Sequence, residues 1–148
     1  MSVEVTIVES ASPELRDALN RLVPQLSSSA TPLTDDDVVR LTTDRDVVLF
    51  IAKSDGVIVG TLTLVLFAIP SGQRAWIEDV IVDGASRGLG LGAALTNAAI
   101  EEARRRGART IDLTSRPSRQ AANALYRKLG FEARDTNVYR FFTETRSH

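Results

Sequence analysis

The chain has no cysteine, and its one histidine, His148, is the last residue. The first absence excludes disulfides, thiolate metal sites and a cysteine nucleophile. The second removes a histidine general base, a Ser-His-Asp triad and a histidine-ligated metal centre. No apolar run reaches the roughly 18 residues needed to span a bilayer. The longest, residues 57–70, is interrupted by Gly60, Thr61 and Thr63 and reads as a strand. The first residues lack the basic start and apolar stretch of a secretion signal, so a cytoplasmic location is expected. A net charge of −1 provides no general field for nucleic acid or a membrane surface. Chemistry is left to carboxylates, hydroxyls, arginines, main-chain groups or a bound cofactor.

With 148 residues, 43% of them hydrophobic and 25% charged, the chain is sized for one globular domain, residues 1–148. Lys53 and Lys128 are its only lysines, and every other basic residue is arginine. Arginine suits a phosphate-bearing ligand, although a solvated surface is its commoner setting.

Residues 3–8 alternate apolar and polar and read as a strand. Ser12-Pro13 reads as an N-cap followed by proline at the first helical position. Leu15, Ala18, Leu19, Leu22, Val23 and Leu26 follow at helical spacing. After a Ser- and Pro-containing loop at 27–34, Thr34 and the acids Asp35, Asp36 and Asp37 open a second helix. Strands are expected at 46–53, 57–68 and 74–82. Asp55-Gly56 and Pro70-Ser71-Gly72 turn the chain between them into an antiparallel meander. Then come an Ala-rich helix stopped by Gly107, a strand at 110–114 and a helix opened by Pro117-Ser118 and ending at Leu129-Gly130. Strands at 131–133 and 138–142 close the chain. The strand–helix–strand unit over 74–114 requires parallel pairing, so the class is a mixed α/β sheet.

The segment V-I-V-D-G-A-S-R-G-L-G-L-G, residues 80–92, ends a strand and opens a helix through alternating glycines. Such a turn exposes successive N–H groups where a helix N-terminus adds positive potential, a setting for pyrophosphate. No Gly-Lys-Ser/Thr follows, so it is not a Walker A loop. The spacing G-x-G-x-G, mid-chain after antiparallel strands, is a poor dinucleotide fingerprint and makes a nicotinamide enzyme the weakest reading. Two readings stay open here: a coenzyme A turn of the form R-x-x-G-x-G, from Arg87, Gly90 and Gly92, and a ligand-free connection.

Residues 122–131, A-N-A-L-Y-R-K-L-G-F, resemble the late motif A-x-x-L-Y-x-x-x-G-F of the GNAT superfamily of N-acetyltransferases. The R-x-x-G-x-G turn after a Val-rich strand and the order of elements are similar to that family too. The resemblance implies a central, mostly antiparallel sheet with a splayed parallel strand pair and about four flanking helices. It implies acetyl-CoA as cosubstrate, with no metal. Val80, Ile81 and Val82 would offer main-chain groups to pantetheine, and Arg87, Gly88, Leu89, Gly90, Leu91 and Gly92 would hold the pyrophosphate. Tyr126 would protonate the departing thiolate. Where the family often carries Asn, seven residues before the tyrosine, this chain has Arg119. Asn123 lies one turn later, and the two are taken as the cofactor contacts of that helix.

The acceptor amine must be neutral to attack, so a base is required. Glu78 and Asp79, inside the apolar strand W-I-E-D-V-I-V and one on each face, are the candidates. The acids at 35–37 read as a solvated helix start, Arg104-Arg105-Arg106 as a helix C-terminus, and Trp76 as a core residue in preference to a pocket-lining one. Without cysteine, direct attack in a ternary complex is expected rather than an acyl-enzyme. The expected partner is a small-molecule or peptide amine, and the last strands offer an edge for a homodimer. The alternative is an acyl-CoA-binding sensor with weak or no catalysis.

Overall fold

Alternating apolar residues in the first half of the chain resolve into one five-stranded sheet. The computed structural model describes residues 2–144, which group into two units divided between Thr114 and Ser115. In the first unit the order is β1 (Val3–Ile7), α1 (Pro13–Leu26), α2 (Asp35–Thr43), β2 (Val47–Ser54), β3 (Val57–Ile69), β4 (Gly72–Val82), α3 (Leu91–Arg105) and β5 (Thr110–Asp112). The strands lie in sequence order, β1 to β4 antiparallel and β5 parallel to β4. This is the mixed sheet expected from the sequence.

Local chemistry sets the element ends. Ser12 Oγ accepts the Leu15 N–H at 3.1 Å to cap α1. Thr34 and Asp37 exchange side-chain and backbone bonds in a capping box that starts α2. Asp55 and Gly56 both take positive φ, 49° and 82°, as the tight β2–β3 hairpin requires.

Leu15, Ala18, Leu19 and Leu22 of α1 and Val38 of α2 form a buried cluster with Leu49, Ile51, Ile58 and Ile81 of the sheet. Alternation along β2 sends the buried Val48, Phe50 and Ala52 to the opposite face. There α3 comes so close that a Cβ on Gly60 would sit 3.3 Å from Leu95 Cδ1. Helices thus cover both faces, and the sheet's apolar strands are buried between them.

The second unit is built on α4 (Gln120–Lys128). The helix starts at Gln120 rather than at Pro117. Residues 117–118 form a turn, and the Asn123 amide donates to the carbonyls of Arg116 (2.9 Å) and Arg119 (2.8 Å), fastening that turn to the helix. Gly130, at φ 103°, follows its C-terminus. The strands expected at 131–133 and 138–142 do not form. Among the described residues no strand pairs with either segment, and Val138, Tyr139 and Phe141 are 69%, 88% and 87% exposed. An alternating pattern becomes a strand only where a neighbour takes its ladder groups and one face is buried. Among the described residues no helix is long and apolar enough to cross a membrane.

Candidate active site

Strand β4 outruns its parallel neighbour. The β4–β5 ladder pairs only Arg74, Ala75 and Trp76 with Thr110, Ile111 and Asp112. Two arginines fasten its base: Arg74 donates to Thr110 Oγ1 at 3.0 Å and Ser71 Oγ at 3.2 Å, and Arg109 donates to the Ser71 carbonyl at 2.9 Å. From Ile77 to Val82 that edge of β4 has no strand partner among the described residues. Val80 and Val82 are half-buried there. Ile81 is buried, its side chain in the core.

β4 leads into the glycine turn. Gly84 N–H donates to Gln25 Oε1 of α1 at 3.2 Å, and Asp83 caps the short 3-10 turn Gly84–Ser86. Arg87, Gly88, Leu89 and Gly90 are exposed. Gly88 and Gly90 hold φ at 86° and 75°, which glycine alone adopts freely, and nothing lies within 4 Å of a Cβ built on either. Gly90 is the N-cap of α3 and supplies no side-chain cap, so no side chain takes the first N–H groups of the helix. Leu91 is 1% exposed, main chain included, and anchors the helix. The carbonyl of Gly92 accepts Thr96 Oγ1 at 2.7 Å. Among the described residues Arg87 has no acidic partner. An open glycine cradle, an uncapped helix start and an unpaired arginine suit a diphosphate.

The two carboxylates stand just before this turn. Thr63 of β3 faces Glu78 and Thr61 faces Ile81, so Asp79 and Val80 together stand opposite Leu62 in a β-bulge. Asp79 takes φ 49° there. The bulge interrupts the alternation on which one carboxylate per face was expected. Both residues are exposed, and neither has a basic partner in ion-pair range among the described residues. Partial burial of its carboxyl, followed by the charge of Glu78, raises the Asp79 pKa above the ordinary value. Glu78 Oε1 accepts the Trp76 indole N–H at 2.7 Å. Trp76 is half-buried on the sheet, not the core residue expected.

In the second unit Tyr126 is 9% exposed, and its ring meets Phe131 edge-on at 5.8 Å. Burial raises its pKa, partly opposed by the charge of Arg119. Arg119 is the exposed N-cap of α4. Asn123 spends its amide donors on the preceding turn, which leaves Oδ1 for a ligand. The sequence-derived residues therefore fall into two groups. Glu78, Asp79 and the turn belong to the first unit; Tyr126, Arg119 and Asn123 belong to the second.

The other charged candidates are structural. Asp35 pairs with Arg16 at 2.6 Å and Asp37 with Arg40 at 2.9 Å. Arg105 and Arg106 close on Glu102. Sequence reasoning missed Gln25 and the Trp76–Glu78 bond. The latter has a signal, since residues two apart on a strand share a face. Among the described residues no three His, Cys, Asp or Glu side chains gather as a metal site requires.

Residues 13–131 match the model of the acetyltransferase (GNAT) family. A 63-residue stretch is 41% identical to an uncharacterized N-acetyltransferase of Methanocaldococcus jannaschii, covering 43% of this chain and only 28% of that protein. An acetyltransferase of Trypanosoma brucei of known structure is 27% identical, with a TM-score of 0.78 over 95% of this chain and 100% of that one. A Bacillus halodurans structure described as a transcriptional regulator is 30% identical, with a TM-score of 0.76 over 94% and 100%.

Proposed function

The chain belongs to the acetyltransferase (GNAT) family, and on that premise we propose that it moves an acetyl group from acetyl-CoA to a primary amine, working as one domain over residues 1–148. One observation carries the reading. β4 leaves its β5 ladder at Trp76 and runs into an exposed turn whose Gly88 and Gly90 are left-handed and unobstructed, ahead of an uncapped α3.

Bound acetyl-CoA supplies an activated acetyl thioester. The main chain of Val80, Ile81 and Val82 offers ladder groups to an extended amide chain, as it would to another strand. Arg87 and the N–H groups of Gly88, Leu89, Gly90, Leu91 and Gly92 hold the pyrophosphate. On α4, the Arg119 guanidinium and Asn123 Oδ1 are the groups left for the cosubstrate. The carboxylate of Glu78, with Asp79 beside it, takes the proton from the acceptor ammonium and leaves a neutral amine. Tyr126, with an ordinary pKa near 10 that burial raises further, keeps its proton on Oη through the neutral range and is the general acid for the leaving sulfur. With no cysteine in the chain, attack is direct.

The test is calorimetric titration of acetyl-CoA and CoA into the wild type and Gly90→Glu. A left-handed φ and an added carboxylate both oppose the ligand in that variant. Binding by the wild type that Gly90→Glu loses is the expected result; no binding of either ligand by the wild type overturns the proposal. CoA release is then followed with spermidine, kanamycin, glucosamine 6-phosphate and an alanine-terminated peptide as acceptors. Arg119, standing where the family motif often carries Asn, favours a second reading, an acyl-CoA sensor. Tight acetyl-CoA binding with no CoA release across that panel would support it.

A further inference from the structure

We propose that Trp76 is a positioning residue for the acetyl transfer. Its indole N–H holds the Glu78 carboxylate where β4 and β5 part, and it acts on the reaction through that carboxylate alone. The inference rests on the reading of Glu78 as the base. Trp76 is the last β4 residue in the parallel ladder, paired with Asp112 of β5 on one side and with Val65 of β3 on the other. Its backbone is therefore held from both edges. Glu78 lies two residues on, still in register opposite Thr63 and just ahead of the bulge at Asp79 and Val80.

The 2.7 Å Nε1–H to Oε1 bond is short, as expected of a neutral donor on an ionised acceptor. Among the described residues it is the one hydrogen bond or ion pair of the Glu78 carboxylate. Indole Nε1 only donates, so the bond does not use up a proton that the base must collect. A carboxylate on a long, exposed stem samples several rotamers unless something holds it, and a base is productive only in the rotamer that reaches its proton.

The test compares the wild type, Trp76→Phe, Glu78→Gln and the double variant. CoA release is measured with the fastest member of the amine panel above. Trp76→Phe keeps the ring and removes the donor. It is expected to lower kcat about 10- to 100-fold, the loss of one hydrogen bond to a charged group, with the KM for acetyl-CoA unchanged. Glu78→Gln is expected to lower kcat further, and the double variant to match Glu78→Gln. A Trp76→Phe loss that recurs in full in the Glu78→Gln background overturns the proposal, since the ring then acts through the fold. So does an unaffected Trp76→Phe beside a crippled Glu78→Gln, which leaves the base reading standing. A fully active Glu78→Gln removes the base itself, and the positioning role with it. Trp76 is the only tryptophan of the chain, so its emission reads the bond directly, without an acceptor. The spectrum should change in Glu78→Ala, which removes the acceptor, and not in Asp79→Asn; an emission spectrum blind to Glu78→Ala rules the contact out.

Discussion

Three acidic side chains show how surroundings set a residue's task. Burial raises the Tyr126 pKa above its ordinary value near 10. Its proton is thus retained below pH 10, and kcat should show no alkaline loss from this group there. Tyr126→Phe is expected to lower kcat about 10²-fold, within the span of general acid catalysis, while calorimetry finds acetyl-CoA affinity unchanged. Asp79 is raised too, so the fold favours its protonated form. Its stabilising contribution is present at low pH and is lost as pH rises through the folded-state pKa. Asn tolerates the left-handed φ and carries no charge. Asp79→Asn should therefore raise Tm at pH 7, with the gain shrinking as pH falls through the raised folded-state pKa and gone once pH is below the ordinary aspartate value. Glu102 has the opposite sign. Bonds from Arg105, then Arg106, lower its pKa against the cost of burial. Its contribution is present above the ordinary glutamate value and lost as pH falls through the lower folded value, so Glu102→Gln should narrow the acid limb of stability in a Tm-against-pH series.

Elements whose ends are written in local chemistry were legible in the sequence. Ser12, Thr34 with Asp37, Asp55-Gly56 and Gly107 each mark a boundary within a few residues, because caps and left-handed turns depend on near neighbours. The glycine turn was legible for the same reason. What needed a distant partner was not. The bulge at Asp79 follows from β3–β4 register, the Gly84–Gln25 bond links residues 59 apart in sequence, and the terminal alternation at 138–142 had no neighbour to make it a strand. Asn20 of α1 belongs to this second class. It donates to the Leu33 carbonyl at 3.1 Å and accepts the Leu33 N–H at 2.7 Å, pinning the loop before α2. Asn20→Ala leaves both Leu33 groups without that partner and should cost about 1–3 kcal/mol in urea unfolding. Faster hydrogen exchange at the Leu33 amide would locate the loss in the loop; an exchange rate equal to wild type would show that α2 alone holds it.

For the molecule as a whole, the question is whether 148 residues behave as one domain. The first unit has the sheet and both helical layers, whereas in the second Tyr126 is the only buried residue among those described. One nine-residue helix with one buried side chain is too little to fold alone. Heating should therefore give a single transition, with the emission of Trp76 and the far-UV helical signal lost together. Separate midpoints would divide the chain into two cooperative pieces. Ligand linkage sharpens the test. A ligand that binds only the folded chain, at about 100 times its Kd, adds about 2.7 kcal/mol. For a chain of this size that is a rise in Tm of about 5–10 °C. If residues 1–148 serve one acetyl-CoA site, both signals should move up by the same amount. In Gly90→Glu, whose left-handed N-cap position is open only as glycine, neither should move. A rise in the Trp76 midpoint alone would confine the ligand to the sheet and the glycine turn, and would take Tyr126 out of the proposed chemistry.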